Sequence, residues 1–312
     1  MSLVINHNLM AMNAARNLGM AYDRLSTSTR RLSSGLRVGT AADDAAGLAI
    51  RELMRADISS LNQGVRNAND AISLIQTADG ALQTIDEKLI RMKELAEQAA
   101  TGTYTSDQRL IIDSEYQAMA SEITRIANAT DFNGIYLLNG NLSASNINPA
   151  TWANDYDGTG LNSTGPLKVH FGTGNDSAED YYYIAIGNAT ASAFGLGNHA
   201  DTAAANYIGG YTISTQEEAS KALDGINAAI VSKDRIRAAL GALQNRLEST
   251  VTNLQIQAEN LQAAESRISD VDVATEMTNF VRNQILTQSA VAMLAQANSL
   301  PRMAMQLIGG GV

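Results

Sequence analysis

The sequence contains no cysteine and three prolines in 312 residues, and only 5% of its residues are aromatic. Without cysteine the chain cannot form a disulfide scaffold or a thiolate metal site. So few aromatic side chains leave little large apolar volume for a compact core, and this favours an elongated helical architecture. The formal charge of −10 argues against nucleic-acid binding, because phosphate recognition needs a dense basic face.

The sequence also lacks long uninterrupted hydrophobic runs. Its start, MSLVINHNLM, has no basic segment followed by an apolar stretch, so we expect no cleaved secretory signal. Residues 283–301 carry no charge and have about the length needed to cross a bilayer. Polar side chains are frequent in this segment and Pro301 interrupts its end, so we expect no membrane insertion.

What the sequence does contain is a seven-residue apolar repeat in the helices predicted at its two ends, about 8–36 and 273–308. A coiled coil requires this spacing. Burying a large aliphatic side chain is worth roughly 1.5–3 kcal/mol, so stripes that one molecule cannot cover favour assembly with neighbours. The predicted assembly seam consists of Leu18, Tyr22, Leu25, Leu32 and Leu36 near the start and Leu286, Met293, Leu300 and Leu307 near the end.

A second pair of repeats lies inward of the first. It predicts a helix over about 43–99 and another that starts after Thr215 and continues to about 270, and only lateral packing can sustain helices of this length. Between them, Thr105 and Gln108 form a capping box for a helix antiparallel to its predecessor. The predicted packing residues of these inner helices are Ile58, Leu61, Val65, Ile72, Ile75, Leu240, Leu243, Leu247, Leu254, Leu261 and Ile268.

The middle of the chain follows a different pattern. Short alternating runs at 132–140, 167–171 and 181–186 predict hairpin strands, and 141–166 is rich in turn residues and predicts an exposed loop. The predicted fold class is therefore mainly α, a long coiled-coil-like helical bundle built from paired N- and C-terminal segments. A small β-hairpin and loop region lies in the middle.

Six motifs near the two ends resemble those of bacterial flagellin, the subunit of the flagellar filament. They are INHNLMAMNAARNL at 5–18, LSSGLR at 32–37, AADDAAGLAI at 41–50, DFNG at 131–134, GALQNRL at 241–247 and SRISD at 266–270. The resemblance covers roughly two thirds of the chain. Residues 141–213 fall where the family is variable.

The resemblance implies a domain organisation and a set of partners. Residues 1–44 with 272–312 would form a terminal coiled-coil domain that lines the filament channel, and residues 45–271 a rod-like domain, with a β-hairpin and variable surface region at 128–213. The implied partners are other copies of the chain, a flagellar export chaperone, the type III export apparatus, the filament cap and hook-junction proteins. The implied location is the secreted, extracellular filament, used for swimming.

The resemblance also implies recognition by an innate immune receptor of animals. Arg91, Leu95 and Glu115 match the family's motif positions for that receptor. The alternative interpretation of Arg91 and Glu115 is an ordinary solvated helix face.

Two rival classes were weighed against a filament subunit. A hook–filament junction protein would share the paired ends but form only a short collar, and abundance on the cell surface would separate the two. A protease would need an HExxH helix to hold zinc, and the sequence has none. We therefore expect no enzyme activity, no catalytic residue, no metal and no cofactor.

Overall fold

A computed structural model of the chain describes residues 8–143, 165–176, 179–197 and 210–309. The described residues form five helices and four short strands, which confirms the predicted mainly helical fold class. The helices are α1 (Leu9–Ser34), α2 (Ala45–Ala100), α3 (Ser106–Ala129), α4 (Gln216–Ser269) and α5 (Val273–Gly309). The strands are β1 (Asp131–Phe132), β2 (Ile135–Tyr136), β3 (Leu167–His170) and β4 (Tyr181–Ile184).

The chain divides into two compact units. The terminal unit comprises residues 1–58 and 259–312, and the central unit comprises residues 59–258. Helices α2 and α4 each contribute residues to both units. Most of the loop predicted at 141–166 lies outside the described residues.

In the terminal unit, α1 and α5 pack side by side in opposite directions. Asn8, the N-cap of α1, donates from its amide to the carbonyl of Ala297 at 2.9 Å. Near the other end of α1, the Arg31 guanidinium approaches the Glu276 carboxylate at 3.9 Å. Because contacts near the start of α1 reach late residues of α5, the two helices are antiparallel.

The link between α1 and α2 is held by backbone hydrogen bonds to the end of α4. Gly35 ends α1 in the left-handed conformation (φ 73°), which glycine adopts at little cost. Its carbonyl accepts from Val271 N at 3.0 Å, and Arg37 N donates to Ser269 O at 2.6 Å. The buried Arg51 side chain donates to the carbonyl of Val38 at 2.7 Å, so the link is fixed from both sides.

In the central unit, α2 packs antiparallel to both α3 and α4. Leu82, Ile85 and Leu89 of α2 are fully buried, as are Tyr116 and Ile123 of α3. Alanines share these faces and let the helix backbones approach closely. The buried alanines of the three helices are Ala68, Ala71, Ala78, Ala96, Ala99, Ala120, Ala127, Ala219, Ala222, Ala229 and Ala258.

A buried charge interrupts this apolar seam. Lys233 of α4 is 2% exposed, and its ammonium contacts the carboxylates of Asp86 in α2 and of Asp234. Burial opposes the charged form and lowers the pKa of Lys233. The hydrogen bonds that the ammonium donates to the two carboxylates outweigh burial and leave this pKa above its ordinary value.

One turn further along, Arg237 donates to both oxygens of Asp79 at 2.7 and 3.2 Å. These hydrogen bonds hold the pKa of Asp79 below its ordinary value of 3.8. The two adjacent ion pairs join α2 to α4 at defined positions, as buried polar groups that set helix register do.

Two hairpins complete the central unit. Asn133 and Gly134 connect β1 to β2 with positive φ angles of 53° and 80°, the conformation that a two-residue hairpin turn needs. β3 pairs antiparallel with β4, from Leu167 opposite Ile184 to His170 opposite Tyr181. Both hairpins were predicted from the sequence.

The β3–β4 hairpin packs on both long helices of the central unit. Asn67 of α2 donates to the carbonyl of His170 at 2.8 Å, and the Arg246 guanidinium of α4 lies 3.5 Å from the centre of the Tyr182 ring. The hairpin approaches α2 so closely that a Cβ at Gly64 would overlap the carbonyl of Phe171. The glycine is therefore required for this contact.

Candidate assembly surface on the terminal helix pair

Helix α5 carries a ridge of exposed apolar side chains. Val273, Met277, Val281 and Ile285 follow one another at four-residue spacing and are 45–58% exposed. This spacing places them on one ridge of the helix. An apolar stripe normally faces a neighbouring element, yet among the described residues this ridge is largely in water.

The buried residues of α5 are small or polar, and Phe280 and Leu294 are its half-buried large apolar residues among the described side chains. Glu276, Thr287 and Ala297 are the buried residues, and the buried residues of α1 are Ala21 and Ser28. Such small side chains allow close helix approach but bury little apolar area. Most of the large apolar side chains described for α5 are therefore exposed within one chain.

An open groove runs along one edge of this pair, and we name it the methionine groove. Met10 and Met20 of α1 and Met293 of α5 line it, and they are 52%, 46% and 63% exposed. Leu286 of α5 lies beside them, and Arg24 is the charged residue of the lining. The groove is therefore an apolar surface left open by the helix pair.

The predicted seam residues of α1 do not all face α5. Leu18, Leu25, Leu32 and Leu36 are half-buried, whereas Tyr22 is 52% exposed. Within one chain Tyr22 is therefore largely open to solvent, and its place in an assembly seam stays a prediction. Its neighbour Ala21 takes the inward position, because α1 presents its small residues to α5.

The predicted seam residues of α5 lie mostly outside its contact with α1. Leu286 and Met293 are 45% and 63% exposed, so within one chain they line the methionine groove instead of packing under it. Leu300 and Leu307 belong to α5, but their side chains lie outside the described residues.

The predicted packing residues of the inner helices are all covered to some degree. Leu61, Ile75, Leu240, Leu247 and Leu254 are buried in the central unit. The half-buried residues are Val65, Ile72 and Leu243 in the central unit and Ile58, Leu261 and Ile268 in the terminal unit.

The three residues implied in receptor recognition lie close together in the central unit. Arg91 donates from Nε and Nη2 to one Glu115 oxygen at 3.0 and 2.8 Å, and from Nη1 to Glu94 at 2.9 Å. The hydrogen bond with Glu115 raises the pKa of Arg91 above its ordinary value. Leu95 is 1% exposed, so in this conformation it supports the surface from beneath and offers no contact area.

Two kinds of feature are absent from the described ranges, residues 8–143, 165–176, 179–197 and 210–309. No group of three histidine, aspartate or glutamate residues in these ranges comes together in a way that could hold a metal ion. None of the helices in the described part of the chain combines the length and apolar character needed to cross a bilayer.

The fold and this surface define a helical protein whose two ends pair and leave apolar side chains open for lateral association. Residues 5–143 match the bacterial flagellin N-terminal helical region, and residues 223–308 match the bacterial flagellin C-terminal helical region. The two matches contain α1, α2 and α3 and most of α4 and α5. The chain belongs to the bacterial flagellin family.

Full-length relatives agree with this assignment. A flagellar filament 33 kDa core protein of Treponema phagedenis is 40% identical over 307 residues, which cover 98% of this chain and all of the relative. A flagellin of Halalkalibacterium halodurans is 39% identical over 306 residues, with coverage of 98% and 100%.

A solved structure shares the fold. The structure of a putative flagellar hook-associated protein from Vibrio parahaemolyticus matches with a TM-score of 0.52 and 15% identity, over 73% of this chain and all of that chain. At this identity the match supports the helical fold alone.

Proposed function

We propose that this chain is the structural subunit of a bacterial flagellar filament, and that the open apolar surface of its terminal helix pair is covered by other copies in the filament. The observation that carries the proposal is the α5 ridge of Val273, Met277, Val281 and Ile285 together with the methionine groove. Covering these side chains is favourable at about 25 cal/mol per Å² of apolar surface removed from water.

The proposal extends to the arrangement of the subunit in the filament. Residues 1–44 with 272–312 line the central channel, and residues 45–271 form the surrounding layer. The acidic balance of the chain and the helix-pair surface support self-association over nucleic-acid or membrane partners. The subunit acts without a catalytic step.

Export, capping and recognition by other proteins follow from family membership. The subunit leaves the cell through the type III export apparatus, with a chaperone covering its C-terminal helix, and is inserted beneath a filament cap. It meets hook-junction proteins at the filament base. The exposed Arg91–Glu115 pair is the contact offered to a host innate immune receptor, with Leu95 supporting it from below.

A hook–filament junction role is the competing interpretation. Relatives that match over their full length include a flagellin and a filament core protein at 39–40% identity, whereas the hook-associated structure matches at 15%. Mass spectrometry of filaments sheared from the source cells separates the two roles. The filament role predicts this chain as the bulk component, and trace amounts would favour the junction.

Polymerisation of the purified chain tests the proposed surface. A Leu286→Asp/Met293→Asp variant places two charges at the edge of the methionine groove, and we expect the pelleted fraction after seeding to fall at least about tenfold because the charges must be desolvated. The matched control, Thr278→Asp/Gln296→Asp, adds the same charge at two exposed polar positions of α5. It should polymerise within about threefold of the unmodified chain.

Equal polymerisation of both charged variants and the unmodified chain would refute the proposed surface. Circular dichroism at equal concentration checks that both variants keep their helical content.

A further inference from the structure

The methionine groove concentrates oxidisable sulfur on one surface of the terminal unit. Met10, Met20 and Met293 come from both helices of the pair and are 52%, 46% and 63% exposed. By contrast Met92, in the core of the central unit, is 0% exposed. The chain has no cysteine, so no thiol of its own competes for an oxidant.

We propose that the methionine groove is an oxidation site, and that conversion of Met10, Met20 and Met293 to methionine sulfoxide prevents the subunit from assembling. The inference rests on the proposed function, since it assumes that another copy covers the groove. The reacting partner is a peroxide, and the modified state belongs to the unassembled subunit, in which the groove is open.

The chemistry needs no group beyond the peroxide. The thioether sulfur donates an electron pair to one peroxide oxygen, an S–O bond forms and the O–O bond breaks. The second oxygen leaves as water after taking up the proton of the transferred oxygen. Each sulfur is oxidised by two electrons while one hydrogen peroxide is reduced to water.

The surroundings of the groove explain why this change would matter. Ala14, Ala21 and Ala290 line it beside the methionines without a hydrogen-bond donor, so a sulfoxide oxygen that faces them would be unpaired. The donors of the same lining belong to Asn13, Asn17, Arg24 and Ser289. Unmodified methionine suits such a surface because its flexible thioether fills irregular gaps. A sulfoxide would carry a strong acceptor into an apolar contact, and burying an unpaired polar group opposes association.

The first measurement maps oxidation in the full-length subunit before any assembly. After a short hydrogen peroxide treatment, peptide mass spectrometry should find Met10, Met20 and Met293 oxidised at least about tenfold faster than Met92, because peroxide must reach the sulfur. The same treatment of assembled filaments should slow oxidation at the three groove positions at least about tenfold. Equal rates in subunit and filament would overturn the inference.

The second measurement compares polymerisation with and without peroxide. The critical concentration of the treated chain should rise about tenfold or more, as expected for buried unpaired acceptors. In a Met10→Leu/Met20→Leu/Met277→Leu/Met293→Leu variant, which also removes the methionine of the α5 ridge and nearly conserves volume, peroxide should change the critical concentration less than about twofold. The control, Met12→Leu/Met303→Leu, removes two exposed methionines outside the groove and the ridge and should remain peroxide-sensitive.

Reversal provides a measurement that needs no variant. A methionine sulfoxide reductase with a dithiol reductant should restore the critical concentration of the oxidised chain to within about twofold of its untreated value. A lack of recovery after the sulfoxides have been removed would overturn the inference.

Failure of the two proposals can be told apart. If the untreated chain forms no filaments, the proposed function fails and the inference fails with it. If the untreated chain forms filaments and the oxidised chain forms them equally well, the inference alone fails.

Discussion

In the central unit, Leu82, Ile85 and Leu89 of α2 are fully buried by residues of the same chain, whereas Val281 and Ile285 of α5 in the terminal unit remain about half exposed. Both regions are built from long antiparallel helices. They differ in their neighbours, because a third helix and a hairpin also pack on the central pair, while many large apolar side chains of α1 and α5 are exposed among the described residues. The central unit closes its own core, and the terminal unit leaves part of its apolar surface for other molecules.

The largest expected effect contrasts truncation of one apolar side chain in each region. Leu89→Ala should lower the free energy of unfolding by about 2–5 kcal/mol, because it leaves a cavity in a closed core. Met293→Ala should change the same quantity by less than about 0.5 kcal/mol, since the side chain is already largely in water. Urea denaturation of the unassembled subunit measures both, and similar losses would remove the distinction between the units.

A smaller effect is expected from the buried charge of the central unit. Asp86→Ala removes one partner of Lys233, which keeps Asp234 at 2.8 Å, so we expect a loss of about 1–3 kcal/mol. Glu217→Ala, which breaks the exposed pair with Lys221 at the start of the same helix, should lower the free energy of unfolding far less, because solvent screens an exposed pair. Urea denaturation at neutral pH measures both losses of unfolding free energy. A larger loss for Glu217→Ala than for Asp86→Ala would contradict the stabilising role of the buried charge.

The smallest effect concerns pH. Because the hydrogen bond from Arg237 lowers the pKa of Asp79 in the folded chain, Asp79 stabilises the fold above its unfolded pKa, and this contribution is lost as pH falls through the lower folded value. The stability difference between the unmodified chain and Asp79→Asn should therefore be below about 1 kcal/mol at pH 7 and shrink below about pH 4. Asp70→Asn, at an exposed position of the same helix, serves as the control.

Measuring the free energy of unfolding from pH 7 to pH 3 tests whether the stabilising contribution of Asp79 is lost on acidification. A difference between the unmodified chain and Asp79→Asn that grows on acidification would contradict the assignment.

Features set by local chemistry could be predicted from the sequence. The Thr105 and Gln108 capping box is present with both of its hydrogen bonds, and Asn133-Gly134 forms the expected hairpin turn. The helix predicted over about 43–99 is observed as Ala45–Ala100. These features depend on neighbouring residues, so a single sequence contains the information they require.

The sequence does not determine in the same way which side chains of α1 and α5 face the other helix. A seven-residue repeat defines a stripe, but Ala21 and Tyr22 lie on adjacent faces of α1, and close packing with α5 selects the smaller residue. Likewise the repeat does not say whether Leu286 and Met293 meet a helix of their own chain or of another. The pairing of Lys233 with Asp86 joins residues 147 positions apart, and no local sequence pattern predicts it.

Amide hydrogen exchange of the subunit and of the filament tests the central claim most directly. If other copies cover the open surface of the terminal pair, amides of α1 and α5 should exchange at least about tenfold more slowly in the filament, because association suppresses local opening. Amides of α2 between 82 and 92, already enclosed in one chain, should change far less. Equal exchange of α1 and α5 in the two states would contradict the account.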